Sequence, residues 1–297
     1  DFCLSRGLGD VYKRQNQYTP KLGVKYFSDV SSCGTATAIS VPCMFSRLDR
    51  NHYDSRIAQS QENALDIIQR SGVEVTWIDN NSSCKGVCVR VNSETVEPTK
   101  SNPLCDGRYC FDEVLVEELA AKLAKSHAKH QLVVLHMIGS HGPTYYRRYP
   151  EKDSKFLPDC PRSDIQNCSS EQLTNTYDNT IAYTDLVLSK LINLLQSSKA
   201  NDKALLYVSD HGESLGEKGL YLHGFPYALA PKEQTQVPML FWSNKLADTR
   251  FNQCIEQQRN HAFSHDNIFD TLLGLTHVQS TEYQPEQDIF NACSTQS

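Results

Sequence analysis

Four short runs of apolar, β-prone residues recur along the chain, and each ends abruptly in polar residues: VEVTWID (73–79), LVVLHMIG (132–139), ALLYVSD (204–210) and VPMLFWS (237–243). Unbroken apolar runs of this length suit strands covered on both faces. Between them the pattern switches to helical spacing in QENALDIIQRSG (61–72), in FDEVLVEELAAKLAKSHAKH (111–130) and in a long stretch from about Leu173 to Ser198. In the second of these, Val114, Leu115, Leu119 and Leu123 form one stripe. A last helix is expected from near Ser264 through NIFDTLLGL. Alternation of strand and helix predicts an α/β domain with a mostly parallel sheet flanked by helices on both faces. Residues 80–110 and 143–170 show no period and are expected to be long loops.

The segment SCGTATAISVPC (32–43) predicts a short helix that buries Ala38, Ile39, Val41 and Met44, with Pro42 limiting how far its first part runs. Thr35 and Thr37 then fall near a helix start, where a hydroxyl can cap the helix or meet an anion. Capping is the commoner use.

With 297 residues the chain can build one large domain. Its net charge of −6 and lack of Lys/Arg runs argue against nucleic-acid binding. No apolar run approaches the roughly 18 residues of a membrane helix. Most of the eleven cysteines fall in close pairs, Cys33/Cys43, Cys84/Cys88, Cys105/Cys110 and Cys160/Cys168, with Cys254 and Cys293 nearer the end and Cys3 left over. Local pairing reads as disulfide staples formed in an oxidising compartment. A zinc ribbon from Cys84, Cys88, Cys105 and Cys110 is the competing reading.

Ligands of open α/β sheets bind beyond the carboxyl ends of the strands. YVSDHGES places Asp210 and His211 at one strand end, with His223 a short loop later in YLHG; LHMIGSHGP places His136 late in another strand and His141 just past it. Any one of these histidines could be merely structural. Together with the carboxylate they form the oxygen and nitrogen set that zinc prefers. The Thr37 hydroxyl, if its helix start faces the same strand ends, could join that metal, ionise and act as a nucleophile.

SCGTATAISVPCMFSR, WIDNNSSCKG, LHMIGSHGPTYYRRYP, YDNTIAYTD and YVSDHGESLGEKGLYLHG together resemble the lipid A phosphoethanolamine transferases, the group that includes the mobile colistin-resistance enzymes. The resemblance runs from about Asn16 to near the C-terminus. It implies an alkaline-phosphatase/sulfatase-like α/β fold, Zn2+ (one ion or two) and a monomeric soluble catalytic domain on the periplasmic face of the bacterial inner membrane. The donor would be phosphatidylethanolamine, the acceptor lipid A, and the outcome polymyxin resistance. Carried over, Thr37 resembles the nucleophile and a zinc ligand, and Asp210 and His211 resemble zinc ligands. His141 and His223 resemble the pair that contacts the transferred phosphate or a second zinc and moves protons. Thr35, Asn81, Ser82, Lys85 and His136 match positions lining the substrate pocket. The close cysteine pairs agree with the family's disulfide habit, while the connectivity of Cys254, Cys293 and Cys3 stays open.

Residues 1–15, DFCLSRGLGDVYKRQ, match nothing that follows and read as translated sequencing-library sequence. Residues 16–297 are then expected to be the catalytic domain without its first strand and without the membrane domain. The family's zinc site also uses a glutamate placed before the CGTxT helix, and no carboxylate in residues 1–15 matches it. An incomplete metal site with weaker zinc affinity is expected. A phosphoglycerol transferase of the lipoteichoic acid type, a soluble phosphodiesterase or sulfatase, and an inactive binding remnant are the rival readings.

Overall fold

Strands and helices form close to where the apolar runs place them in the computed structural model, which describes residues 17–294. The reading of residues 1–15, Cys3 included, lies outside the described residues. The strands are β1 (Lys25–Phe27), β2 (Asp29–Ser31), β3 (Glu74–Asp79), β4 (Asn92–Thr95), β5 (Gln131–His136), β6 (Ala204–Val208), β7 (Ser214–Leu215), β8 (Tyr221–Leu222), β9 (Met239–Ser243) and β10 (Ala262–Ser264). The helices are α1 (Thr37–Phe45), α2 (Ser55–Ser60), α3 (Ala64–Arg70), α4 (Val114–Lys125), α5 (Ser170–Ser197), α6 (Lys232–Thr235), α7 (Thr249–Gln258), α8 (Ile268–Leu275) and α9 (Asn291–Ser294).

Strand β9 shows why the runs are apolar at every position. Met239 and Phe241 enter one core with Phe27, Trp77, Phe269 and Phe290, while Leu240 and Trp242 enter a second core with Val187, Leu188 and Leu191 of α5. Alternate side chains point to opposite faces of a strand, so burial on both sides demands apolar residues throughout. Helices therefore cover both faces of the α/β domain. Its parallel part is β4-β3-β5, where Trp77 lies opposite Ser93 and Val134; β9 runs antiparallel to β6 and β1, with Phe241 opposite Leu206 and Lys25. Two smaller ladders, parallel β10-β2 and antiparallel β7-β8, lie outside these runs.

The helix ends follow capping chemistry. Asn63 and Ser169 each start a helix with a reciprocal capping box, to Asp66 and Gln172 respectively. Two details of α1 differ from expectation. It runs through Pro42 to Phe45, and it buries Val41, Met44 and Phe45 while Ala38 and Ile39 face solvent. Pro42, sixth of the nine residues, forfeits the intrahelical bond that an N–H there would make, and the three buried apolar side chains outweigh that loss.

Five disulfides staple the chain: Cys33–Cys43, Cys84–Cys88, Cys105–Cys110, Cys160–Cys168 and Cys254–Cys293. Cys84, Cys88, Cys105 and Cys110 are thus oxidised in pairs, which rules out the zinc ribbon. Among the described residues no helix is long and apolar enough to cross a membrane.

Among the described residues, strands β5 and β6 pair neither with each other nor with any further strand on the edges that face one another. Each hydrogen-bonds on one edge, β5 to β3 and β6 to β9, and their other edges line a cavity of about 1440 Å³ that reaches Thr37, Asp210 and His211.

Candidate active site

Three strand ends deliver the polar cluster. Asp79 closes β3, His136 closes β5, and Asp210 and His211 follow β6. Helix α1 brings Thr37 to the same place. The N-cap of α1 is Ala36 rather than either threonine, and its extended backbone leaves Thr37 as the first helical residue. Thr37 therefore does not cap. Its Oγ1 lies 3.3 Å from His211 Nε2, and its hydroxyl also hydrogen-bonds the Asp210 carboxylate.

His211 is buried, and its Nδ1 donates to the Gly212 carbonyl at 3.0 Å, which leaves Nε2 as the ring atom that faces the site. Nε2 faces Thr37 and lies 3.6 Å from Asp210 Oδ2. Burial raises the Asp210 carboxyl, but its neighbours, the His211 imidazole and the Thr37 hydrogen bond first among them, outweigh it, leaving the pKa below the ordinary value. Gly212 cannot carry a side chain here, because a Cβ would collide with the Glu233 carbonyl.

Two more imidazoles stand beside His211. The ring of His223 is 4.2 Å from that of His211 and 5.2 Å from that of His141. His141 Nδ1 donates to the Gly142 carbonyl at 2.7 Å, and His223 Nδ1 donates to Glu213 Oε1 at 2.8 Å. All three rings thus hold Nδ1–H against an oxygen and offer Nε2, the arrangement that metal-ligating histidines adopt. Their protonation differs. The Glu213 hydrogen bond raises His223, whereas burial lowers His141.

Glu213 is the residue that sequence reasoning missed. It is buried, accepts from the Tyr145 hydroxyl at 3.1 Å through Oε2, and forms with His211 and His223 a group whose ligand atoms all lie within 4.8 Å of one another. Its position three residues after Asp210 in SDHGES was the available signal.

The pocket residues divide. His136 Nδ1 lies 2.9 Å from Asp79 Oδ2, and Asp79 also accepts from Trp77 Nε1 and from the backbone N–H of Asn81. Against the upward push of burial, those hydrogen bonds hold the Asp79 carboxyl down at about 2. Asn81 lines the cavity with Thr37 and donates from Nδ2 to the Met137 carbonyl at 2.9 Å. Ser82 and Lys85 are not brought to Thr37: Lys85 Nζ donates to Ser82 Oγ at 2.7 Å and to the Ser82 carbonyl on an outer loop. Thr35 spends its hydroxyl proton on the Phe225 carbonyl at 2.6 Å, while its own carbonyl accepts from Gly224, so it holds the loop that carries His223.

An alcohol, a carboxylate and an imidazole Nε2 meeting at one point, with a further carboxylate and two imidazoles alongside, fit a divalent cation such as zinc. A family model described as Sulfatase matches residues 5–278, and the chain belongs to that family. Within it the homology is to phosphoethanolamine transferases. Phosphoethanolamine transferase EptA of Salmonella typhimurium is 49% identical over 294 residues, covering 96% of this chain and 53% of the relative. Phosphatidylethanolamine transferase Mcr-1 of Escherichia coli is 43% identical over 263 residues, covering 86% of this chain and 48% of the relative. The crystal structure of the soluble domain of lipooligosaccharide phosphoethanolamine transferase A from Neisseria meningitidis superposes with a TM-score of 0.87 at 44% identity, covering 93% of this chain and 85% of that one. The chain spans about half the length of these curated relatives.

Proposed function

We propose that this chain is the catalytic part of an enzyme that moves phosphoethanolamine from phosphatidylethanolamine to a phosphate of lipid A. The observation that carries the proposal is the Thr37 hydroxyl, freed from capping and aimed at Asp210 and His211. Thr37 Oγ1 attacks the phosphorus of the donor, the bond to the diacylglycerol oxygen breaks, and that oxygen takes a proton. A lipid A phosphate oxygen then attacks the phosphorus of the Thr37 ester, and Thr37 leaves with its proton restored. His223, raised by Glu213, is suited to hold the proton that the leaving oxygen needs, and His141, lowered by burial, is suited to accept one.

Asp210, His211 and Thr37 would hold zinc, with His141, Glu213 and His223 placed for the transferred phosphate or a second ion. Zinc, when bound, supplies the Lewis acidity that makes a threonine hydroxyl nucleophilic at neutral pH. Asn81 and His136 would line the headgroup pocket, with Thr35 setting its wall; Ser82 and Lys85 would have to swing inward to contribute. The product carries a cationic ethanolamine on an anionic lipid, which weakens its attraction for polymyxins. Five disulfides agree with a periplasmic location.

The slot between β5 and β6 supports the reading that residues 16–297 work with a further strand. Both slot strands run toward the site, since His136 and Asp210 emerge from their carboxyl ends. One strand parallel to both would satisfy the two edges left open among the described residues and bring a carboxylate, such as the glutamate that the resemblance implies, to Thr37. A membrane domain would belong to the same longer protein.

Intact-mass analysis after incubation with phosphatidylethanolamine and zinc tests the nucleophile. A phosphoethanolamine adduct is expected, in the longer protein if not in this chain, and it should vanish in Thr37→Ala. An adduct that survives the substitution refutes the assignment.

A further inference from the structure

His265 belongs neither to the strand ends nor to the pocket wall, yet it touches both segments that build the site. It opens the 3-10 turn His265–Asn267 after β10, is 1% exposed, and sits among groups more than fifty residues distant in sequence. The backbone N–H of Cys33 donates to its Nδ1 at 3.0 Å. Its Nε2 lies 3.0 Å from the Ser209 carbonyl oxygen. Cys33 is four residues before Thr37, and Ser209 immediately precedes Asp210 and His211.

We propose that His265 is a positioning residue that ties the segment carrying Thr37 to the strand end carrying Asp210 and His211, and so sets the distance over which their donor atoms converge. The inference rests on the reading of those three residues as the reactive and metal-holding group.

The chemistry of the two contacts permits one form of the ring. A carbonyl oxygen only accepts, so Nε2 must carry hydrogen; an amide N–H only donates, so Nδ1 must be bare. The neutral Nε2–H imidazole alone satisfies both. A protonated ring would set N–H against N–H at Cys33, and the opposite tautomer would lose both bonds. Burial acts in the same direction, holding the ring's pKa down at about 4.

The ring is itself held from behind. Ser264 forms a capping box with Asn267, and β10 pairs in parallel with β2 so that Ser264 lies opposite Ser31, two residues before Cys33. Helix α1 packs on the same turn. Position therefore passes from a rigid turn, through one imidazole, to both halves of the site. Neither Cys33 nor Ser209 has a side chain that could supply this link, since the first is in a disulfide and the second donates locally through Oγ to the His211 carbonyl at 2.8 Å.

The test uses the chain itself with zinc alone as the probe. Zinc affinity is measured by competition with a chromophoric chelator for the unaltered chain, His265→Phe, His265→Asn, Asp210→Asn and Leu273→Ala. Leu273 lies in the core on α8, outside the site, and reports what destabilisation alone does. His265→Phe is expected to weaken zinc binding about 10-fold or more, the scale on which partners behind the ligands act. Leu273→Ala should leave affinity unchanged, and His265→Asn, whose Oδ1 can replace Nδ1 as acceptor, should recover part of the loss. Independently of any variant, a long-range 1H–15N spectrum of the unaltered chain should show His265 neutral with hydrogen on Nε2 at pH 7. Hydrogen on Nδ1, or zinc affinity lost in Asp210→Asn but unchanged in His265→Phe, overturns this inference alone. Unchanged affinity in Asp210→Asn overturns the site reading and this inference with it.

Discussion

Removing two of the disulfides, one pair at a time, separates what staples do for stability from what they do for the site. Cys33–Cys43 closes a sequence separation of 10 and encloses Thr37, whereas Cys254–Cys293 closes a separation of 39 and joins α7 to α9, away from the strand ends. Chain entropy gives about 2.7 kcal/mol for the short loop and about 3.9 kcal/mol for the long one. All four cysteines are buried, so Cys→Ala changes cost similar packing in both double variants and the difference of about 1.2 kcal/mol survives the comparison. Urea melts without reductant should therefore show Cys254→Ala/Cys293→Ala as the less stable protein. Zinc affinity should move the other way: only Cys33→Ala/Cys43→Ala frees the segment between the His265 contact and Thr37. Equal melts would refute the loop-length argument. Zinc binding indifferent to Cys33→Ala/Cys43→Ala would refute the claim that this loop holds Thr37 in place.

Other changes reach different parts of the molecule. Arg47→Met strips two hydrogen bonds, 2.9 and 2.8 Å, from Asp270, whose carboxylate is fully buried, and urea melts should show a loss of about 3 kcal/mol, as for a broken buried pair. Glu213→Gln removes the charge that raises His223. In the zinc-free chain the His223 pKa read by NMR should then fall. A raised folded pKa stabilises the chain below about pH 6.5 and stops doing so as pH climbs through that folded value, so the variant should lose this alkaline-side decline in stability.

Local pattern carried most of the fold. The runs at 73–79, 132–139, 204–210 and 237–243 became β3, β5, β6 and β9 within three residues at either end, because strands covered on both faces read as near-continuous apolar runs. The three-residue strands β1, β2 and β10 are too short to show a period, and β4 lies in the stretch expected to be loop with four exposed residues. The site divides by the same rule. Thr37, Asp210, His211, His141 and His223 stand in motifs whose residues are near neighbours in sequence. His265 acts through bonds to positions 232 and 56 residues away, and Glu213 declares its purpose only through His223 and Tyr145. Lys85 shows the converse. Its motif matched, yet a positive φ and two bonds to Ser82 turn it toward its own loop.

Thr35 pins the segment 224–225 by two bonds of opposite sense, one from each partner, and stands two residues ahead of Thr37. Displacing residues 224–225 would therefore pull on the backbone that feeds α1, so the placement of the neighbouring His223 and the aim of the Thr37 hydroxyl are mechanically coupled.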